Sequence, residues 1–387
     1  MFKDDGFRRA RIATLTAFLI NGFSVGTFVS RIPDFKTGLS ISDGILGASL
    51  FCASVGVLAA LAPVSKAAAK FGSGPVVRNS AFTLALATPL VSLLFNLSWF
   101  WLSLFLYGFL SSAHDLSMNA QAAALENKAG KRVMSTFHAL WSVGCLTGGA
   151  IGGIAAAAGI SLRVHMFSVG ILIFLVGLAI RSSFLPGADD RHEVGEKKRK
   201  KIPRKFYVLG LLGLCGALGE GAASDWGGIL ARDTYHASPF LISLPYVLYS
   251  ITMVTGRFSG DFIANKFGAI KLLTFSGLIA GGGILAGLLI NNIYGVLLAW
   301  VLLGLGVSTV IPMMISTTGT IANEKYAGEI SAAQGVAVVT GIAYFGFVLG
   351  PPLLGQLSDL ITLRWAMLIP AGLAILLSVS VKKVLTS

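Results

Sequence analysis

The sequence predicts an all-α polytopic membrane protein of twelve transmembrane helices in two six-helix repeats, and three observations lead there. Only 12% of its 387 residues are charged and 55% are hydrophobic, against about 25% charged in soluble domains. Apolar stretches long enough to cross a bilayer recur along its whole length, and lysine and arginine are distributed unevenly about them. A mean hydropathy of +0.79 with 47 glycines suits lipid, where an apolar exterior is accepted and helices approach closely through glycine. The same values exclude an ordinary water-soluble enzyme.

A helix needs about 20 apolar residues to cross about 30 Å of hydrocarbon. Such stretches lie near 11–31, 42–64, 77–96, 99–125, 133–159 and 164–185, and resume near 206–231, 240–263, 270–290, 293–322, 330–357 and 364–381. Met1 to Arg11 is polar and no small-residue cleavage site closes the stretch after it, so the first segment is expected to stay as a span. With an even number of spans both termini share a side. Of the 30 lysines and arginines, the opposite side holds only Arg31, Lys36, Arg163, Arg232 and Arg364. The positive-inside rule then places both termini in the cytoplasm, and the same excess explains the net charge of +13 without a nucleic-acid partner.

The boundaries expected are a bundle over 1–185, a basic cytoplasmic linker over 186–205 and a second bundle over 206–387. The linker's Lys197, Lys198, Arg199, Lys200 and Lys201 read as a topology determinant that also touches anionic membrane lipid.

Ionisable groups inside a span cost at least about 2.5 kcal/mol on insertion scales, so each is a functional candidate. In span one, Asn21 is either a substrate contact or an interhelical hydrogen bond. In span four, Asp115 and Asn119 lie four residues apart on one face. Asp115 is a candidate proton carrier, with His114 or His138 modulating it. In span five, His138 has Ser135 and Trp141 on its side, and is either helix–helix glue or half of a pair with Asp115. Span seven carries Glu220 and Asp225, about 140° apart around a helix. Glu220 lies about 21 Å along from Phe206 at 1.5 Å per residue and is the better proton or substrate ligand. Asp225 falls near the far end of that span. Arg257 and Asp261, four apart in span eight, read as a structural latch with cytoplasmic loops. The glycines of spans five and eleven read first as packing.

The halves repeat. A shift of 196 lays Lys266-Phe267-Gly268 on Lys70-Phe71-Gly72, Ser331 on Ser135 and Gln334 on His138. Two parallel six-helix repeats, cytoplasmic termini and a basic central loop resemble the major facilitator superfamily over essentially the whole chain. The superfamily's loop signature is degraded, with Ala69 and Asn265 at its aspartate positions. The strings SRIP (Ser30 to Pro33), HDLSMNAQ (His114 to Gln121), STFHALWSVG (Ser135 to Gly144), EGAASDW (Glu220 to Trp226) and GRFSGD (Gly256 to Asp261) resemble the YbjJ-like bacterial inner-membrane branch, loosely grouped with fucose permeases.

That resemblance implies a monomeric secondary carrier of the bacterial cytoplasmic membrane, working by alternating access. Proton-coupled symport of a small polar solute such as a sugar is the first expectation, and proton-antiport export of amphipathic compounds the alternative. The resemblance also implies an outer gate pairing Arg31 with Asp225 and an inner one joining Asp115 with His138, with His114 beside it. Substrate contacts are expected at Asn21, Asn119, Glu220, Trp141 and Gln334. No catalytic constellation or phosphate loop is present, and Cys52, Cys145 and Cys215 lack metal or disulfide spacing, so neither enzyme chemistry nor a cofactor or metal is expected.

Overall fold

A computed structural model of the chain describes residues 5–129, 134–189, 202–326, 330 and 332–386. Among them the secondary structure is helical throughout. The Lys197 to Lys201 run and Ser331 lie outside the described residues, as do the side chains of Ser135, Asp261 and Gln334.

The chain divides into two compact units. The first, Met1–Ile41 with Ser49–Glu196, contains α1 (Asp5–Ser30), the short α2 (Ile32–Leu39), most of α3 (Asp43–Phe71), α4 (Ser73–Leu90), α5 (Leu97–Ala129), α6 (Met134–Ala157) and α7 (Leu162–Ile180). The second, Ser42–Ala48 with Lys197–Ser387, contains the first turn of α3, α8 (Arg204–Ile229), a π-helical turn over Leu230–Thr234, α9 (Pro239–Phe267), α10 (Ala269–Ile290), α11 (Ile293–Val307), α12 (Val310–Lys325), α13 (Ala332–Ile361), α14 (Leu363–Ala366) and α15 (Leu368–Thr386). Ten helical segments among the described residues are long and apolar enough to cross a membrane. α4 and α5 fall outside that ten. α5 runs 33 residues but carries Ser111, Ser112, His114, Ser117 and Gln121 buried along it, so its polarity is turned inward.

The repeat is visible in how each unit is packed. In the first, α1 lies against α6 at backbone distance. A Cβ on Gly22 would sit 2.0 Å from the Trp141 carbonyl oxygen, and one on Gly26 equally close to that of Cys145. In the second, α8 meets α13 the same way, with Gly346 against the Leu214 carbonyl. The expectation that the glycines of spans five and eleven serve packing matches this geometry, because no side chain larger than hydrogen fits between the paired backbones.

The two Lys-Phe-Gly copies adopt one conformation. Gly72 ends the turn between α3 and α4 at φ +82° and ψ 157°, and Gly268 joins α9 to α10 at φ +87° and ψ 150°, a region that only glycine occupies at low cost. Each donates its N–H back one turn over 2.8 Å, to Ala68 and Ala264 respectively. Lys70 stands over the Phe71 ring at 5.2 Å and Lys266 over the Phe267 ring at 5.4 Å. The degraded loop signature therefore keeps its turn, whatever became of its charges. Gly268→Ala should cost about 1–3 kcal/mol from backbone strain alone, since nothing lies within 4 Å of its Cβ position. Gly72→Ala should cost more, because its Cβ would also meet the Gly187 carbonyl at 2.3 Å. Equal melting temperatures for the two variants would contradict this assignment.

The span over 293–322 is two helices. α11 ends at Val307 and α12 begins at Val310, and at the break Thr309 Oγ1 hydrogen-bonds Ser276 Oγ of α10 over 2.9 Å. That partner satisfies a hydroxyl that lipid could not.

Candidate functional site

In the first unit the polar groups form a buried network. The Trp141 indole N–H of α6 donates to Asn21 Oδ1 of α1 over 2.9 Å. This contact orients the amide, leaving its NH₂ group to face α5, where Nδ2 donates to the Ser111 carbonyl at 3.3 Å and to His114 Nδ1 at 3.2 Å. His114 is fully buried, and its Nδ1 accepts, so its proton sits on Nε2, which has no partner among the described residues. Asn21 thus makes interhelical hydrogen bonds, its acceptor and both donors shared among three helices.

The network continues along α1. Ser24 Oγ meets Thr88 Oγ1 of α4 at 3.0 Å and Tyr107 Oη of α5 at 3.2 Å, and Ser80 meets Ser117 at 3.0 Å. Asp115 points away from it, half-buried, with Asn119 Nδ2 donating to its Oδ1 at 3.2 Å and to its carbonyl at 2.9 Å. The shared face expected of Asp115 and Asn119 is therefore present. The His138 ring is exposed and packs edge-on against Phe18 at 5.4 Å. A separate cleft of about 710 Å³ opens between α3 and α5 near Asn127 and Lys128. Alanines make up much of its wall, and none of the expected substrate residues lines it.

Arg31 is held within the first unit. Its Nε donates to Asp34, Nη2 donates to the Ile160 carbonyl at 3.0 Å, and Nη1 lies 3.4 Å from His165 Nδ1. It is buried, at 2% exposure, because these three partners replace water. Asp34 is three residues on in sequence, within the same SRIPD run, so the i, i+3 spacing was a visible signal. His165 was missed. It lies in the first turn of α7, at the start of span six, where it is buried.

In the second unit, Glu220 of α8 accepts from Arg257 of α9. Arg257 Nη2 stands 3.2 Å from Glu220 Oε1, with the side chains 34% and 18% exposed. The expected latch of Arg257 and Asp261 with cytoplasmic loops involves a side chain, that of Asp261, outside the described residues. The Arg257 ion pair reaches across to α8 and joins the EGAASDW and GRFSGD strings. Both residues lie within membrane-spanning segments, Arg204–Thr234 and Pro239–Gly260. Asp225 is half-buried and has no ion pair among the described residues, and beside it Trp226 is fully buried with no partner for its indole N–H. The neighbouring Trp300 is satisfied by the Ala223 carbonyl at 2.8 Å. No cluster of metal-ligating side chains occurs among the described residues.

Two helical units with spans of membrane length, each carrying polar and ionisable side chains within those spans, define a polytopic membrane protein. The model of the Major Facilitator Superfamily matches residues 14–343 and 209–385, and the chain belongs to that superfamily of membrane transporters. It is 28% identical over 359 residues to an uncharacterized MFS-type transporter of Yersinia pestis, covering 92% of this chain and 91% of that one. It is equally similar, over 365 residues, to the membrane protein MosC of Rhizobium meliloti, with 92% and 86% covered. Among solved structures, a bacterial homologue of the lysosomal transporter Spinster superposes with a TM-score of 0.79 at 12% identity, over 100% of this chain and 98% of that one. The nucleoside transporter NupG superposes with a TM-score of 0.73 at 14% identity, over 99% and 100%. At such identities the likeness establishes the fold.

Proposed function

We propose that the protein is a proton-coupled symporter of a small polar solute, working by alternating access as a monomer in a bacterial cytoplasmic membrane, with both termini inside. The observation that carries this reading is the half-open Glu220–Arg257 pair within two spans. A carboxylate held there by a single hydrogen bond can exchange a guanidinium for a proton as its surroundings change. Asp115, which shares a face with Asn119, is the second proton carrier, and its gating partners are His138 and His114. The substrate contacts are Asn119, Trp141 and Gln334 with Glu220. The same reading assigns the protein no catalytic chemistry, cofactor or nucleic-acid partner. The alternative, proton-antiport export of amphipathic compounds, draws on the glycine-rich span five and the 25 phenylalanines; the contact of those glycines with α1 supports the symport reading over it.

Uptake into proteoliposomes tests it. With a pH gradient of one unit, one coupled proton supports up to about tenfold accumulation. Asp115→Asn and Glu220→Gln should each reduce accumulation to equilibration, while exchange of solute across the membrane persists. Undiminished pH-driven accumulation in both variants would remove the proton role given to these carboxylates.

A further inference from the structure

The Glu220–Arg257 pair is under-bonded for a structural strut. A guanidinium offers five N–H donors in a fork that matches a carboxylate through two parallel bonds. Here Glu220 takes only one, through Nη2 at 3.2 Å, while Nε is buried and has no acceptor among the described residues. Arg257 nevertheless keeps a third of its side chain open. A buried charged donor left unmatched in a membrane span is costly, and an incoming carboxylate would supply the two-point partner that Glu220 does not.

Resting on the symporter reading above, we propose that Arg257 binds the carboxylate of a small monoanionic organic acid, which displaces Glu220 from the guanidinium while Glu220 takes up a proton. The charges balance. The empty site holds one cation and one anion. The loaded site holds the same cation, the substrate carboxylate and a neutral Glu220. One acid molecule therefore enters with one proton, and the net charge exposed to the bilayer interior stays at zero in both states, so neither pays an unpaired-charge penalty. A dianion such as a phosphate monoester would leave a charge uncompensated.

The surroundings contain little that competes. Of the elements packed on α8, α11 has no charged residue and α13 only Asp359, near its far end; Tyr294 and Tyr344 are their titratable groups. α12 carries Glu324 and Lys325 in its last turn, and α15 carries Lys382 and Lys383 in its last turns. α9 adds Asp261 and Lys266 nearer its end, with Tyr246 and Tyr249 a few turns earlier, and the π-helical turn after α8 holds Arg232 and Asp233, which pair with each other at 2.6 Å. On α8 itself, Asp225 lies on another face.

The test is thermal stability of the detergent-purified full chain with gluconate, glucuronate and lactate, beside glucose and the neutral glucuronamide, at pH 6 and pH 8. At least one carboxylate should raise the melting temperature by mass action while its neutral counterpart does not. Its apparent affinity should weaken by up to about 100-fold between pH 6 and pH 8, tenfold per unit for one co-bound proton. Glu220→Gln should keep the binding and lose the pH slope, which a strut would not do. Arg257→Gln should lose the binding. Arg257→Lys, which keeps the charge without the fork, should weaken it at least tenfold and guards against a fold defect in the glutamine variant. Stabilisation by glucose or glucuronamide alone, by none of the carboxylates, or by carboxylates equally in Arg257→Gln would overturn the proposal. Those results with pH-driven sugar accumulation intact would leave the symporter reading standing. Carboxylate binding with no pH-driven accumulation would remove the symporter reading instead.

Discussion

Gly22→Val is expected to leave almost no folded protein. The added Cβ would begin 2.0 Å from the Trp141 carbonyl and 3.0 Å from the Cys145 amide nitrogen, both backbone atoms that cannot swing aside. Relief requires α1 and α6 to separate. Separation would pull Asn21 from Trp141 and undo the neighbouring contact at Gly26. Overpacking in soluble cores costs about 1–3 kcal/mol, and a clash confined to main-chain atoms belongs at or above the top of that range. Gly221→Ala on α8 is the control, since its nearest neighbour is the Phe347 ring edge at an ordinary 3.6 Å. Yield and melting temperature in detergent would show it: near-normal values for the Gly22 variant would mean that the two helices are not in backbone contact.

Asn21→Ala is the second large effect expected. It removes one acceptor and two donated bonds together and strands the Trp141 N–H and His114 Nδ1, while the Ser111 carbonyl, inside α5, keeps its intrahelical bond. At about 1–3 kcal/mol for each buried group left unsatisfied, and with partial relaxation, the loss should be about 3 kcal/mol. Asn21→Asp should do at least as badly, because a carboxyl group cannot donate two bonds while accepting a third. A ligand-contact residue would behave differently, with binding lost and the empty protein's melting temperature unchanged. Measuring both quantities separates the two roles.

Much of the architecture was legible because bilayer physics acts on composition over windows of about 20 residues, and hydropathy needs no knowledge of partners. The repeat was legible at Lys70-Phe71-Gly72 and Lys266-Phe267-Gly268 because a conformation restricted to glycine leaves a mark in single residues. The interruption of the span over 293–322 has its local signal in Pro312, which has no N–H for the Ser308 carbonyl four residues back, whereas the Ser276 partner of Thr309 comes from another helix and was not legible. The site was legible as a set of residue types and much less so as pairs. Intramembrane cost selects Glu220 and Arg257 separately, but nothing local says that they meet 37 positions apart. Asp261, four residues from Arg257, was the plausible local partner on spacing alone. For Arg31 the partner was local: Asp34, three residues on, was legible from i, i+3 spacing, while the Ile160 carbonyl and His165 were not.

The bond from Trp141 to Asn21 spans 120 positions of chain, which matters while the protein is being made. At roughly 5–20 residues per second of synthesis, α1 waits about 6–24 s for its partner helix to emerge. During that interval Asn21 and the bare glycine groove beside it face lipid or the insertion machinery, with Ser111 and His114 arriving only a little earlier than Trp141. The first helix is thus committed to the bilayer with its amide unsatisfied.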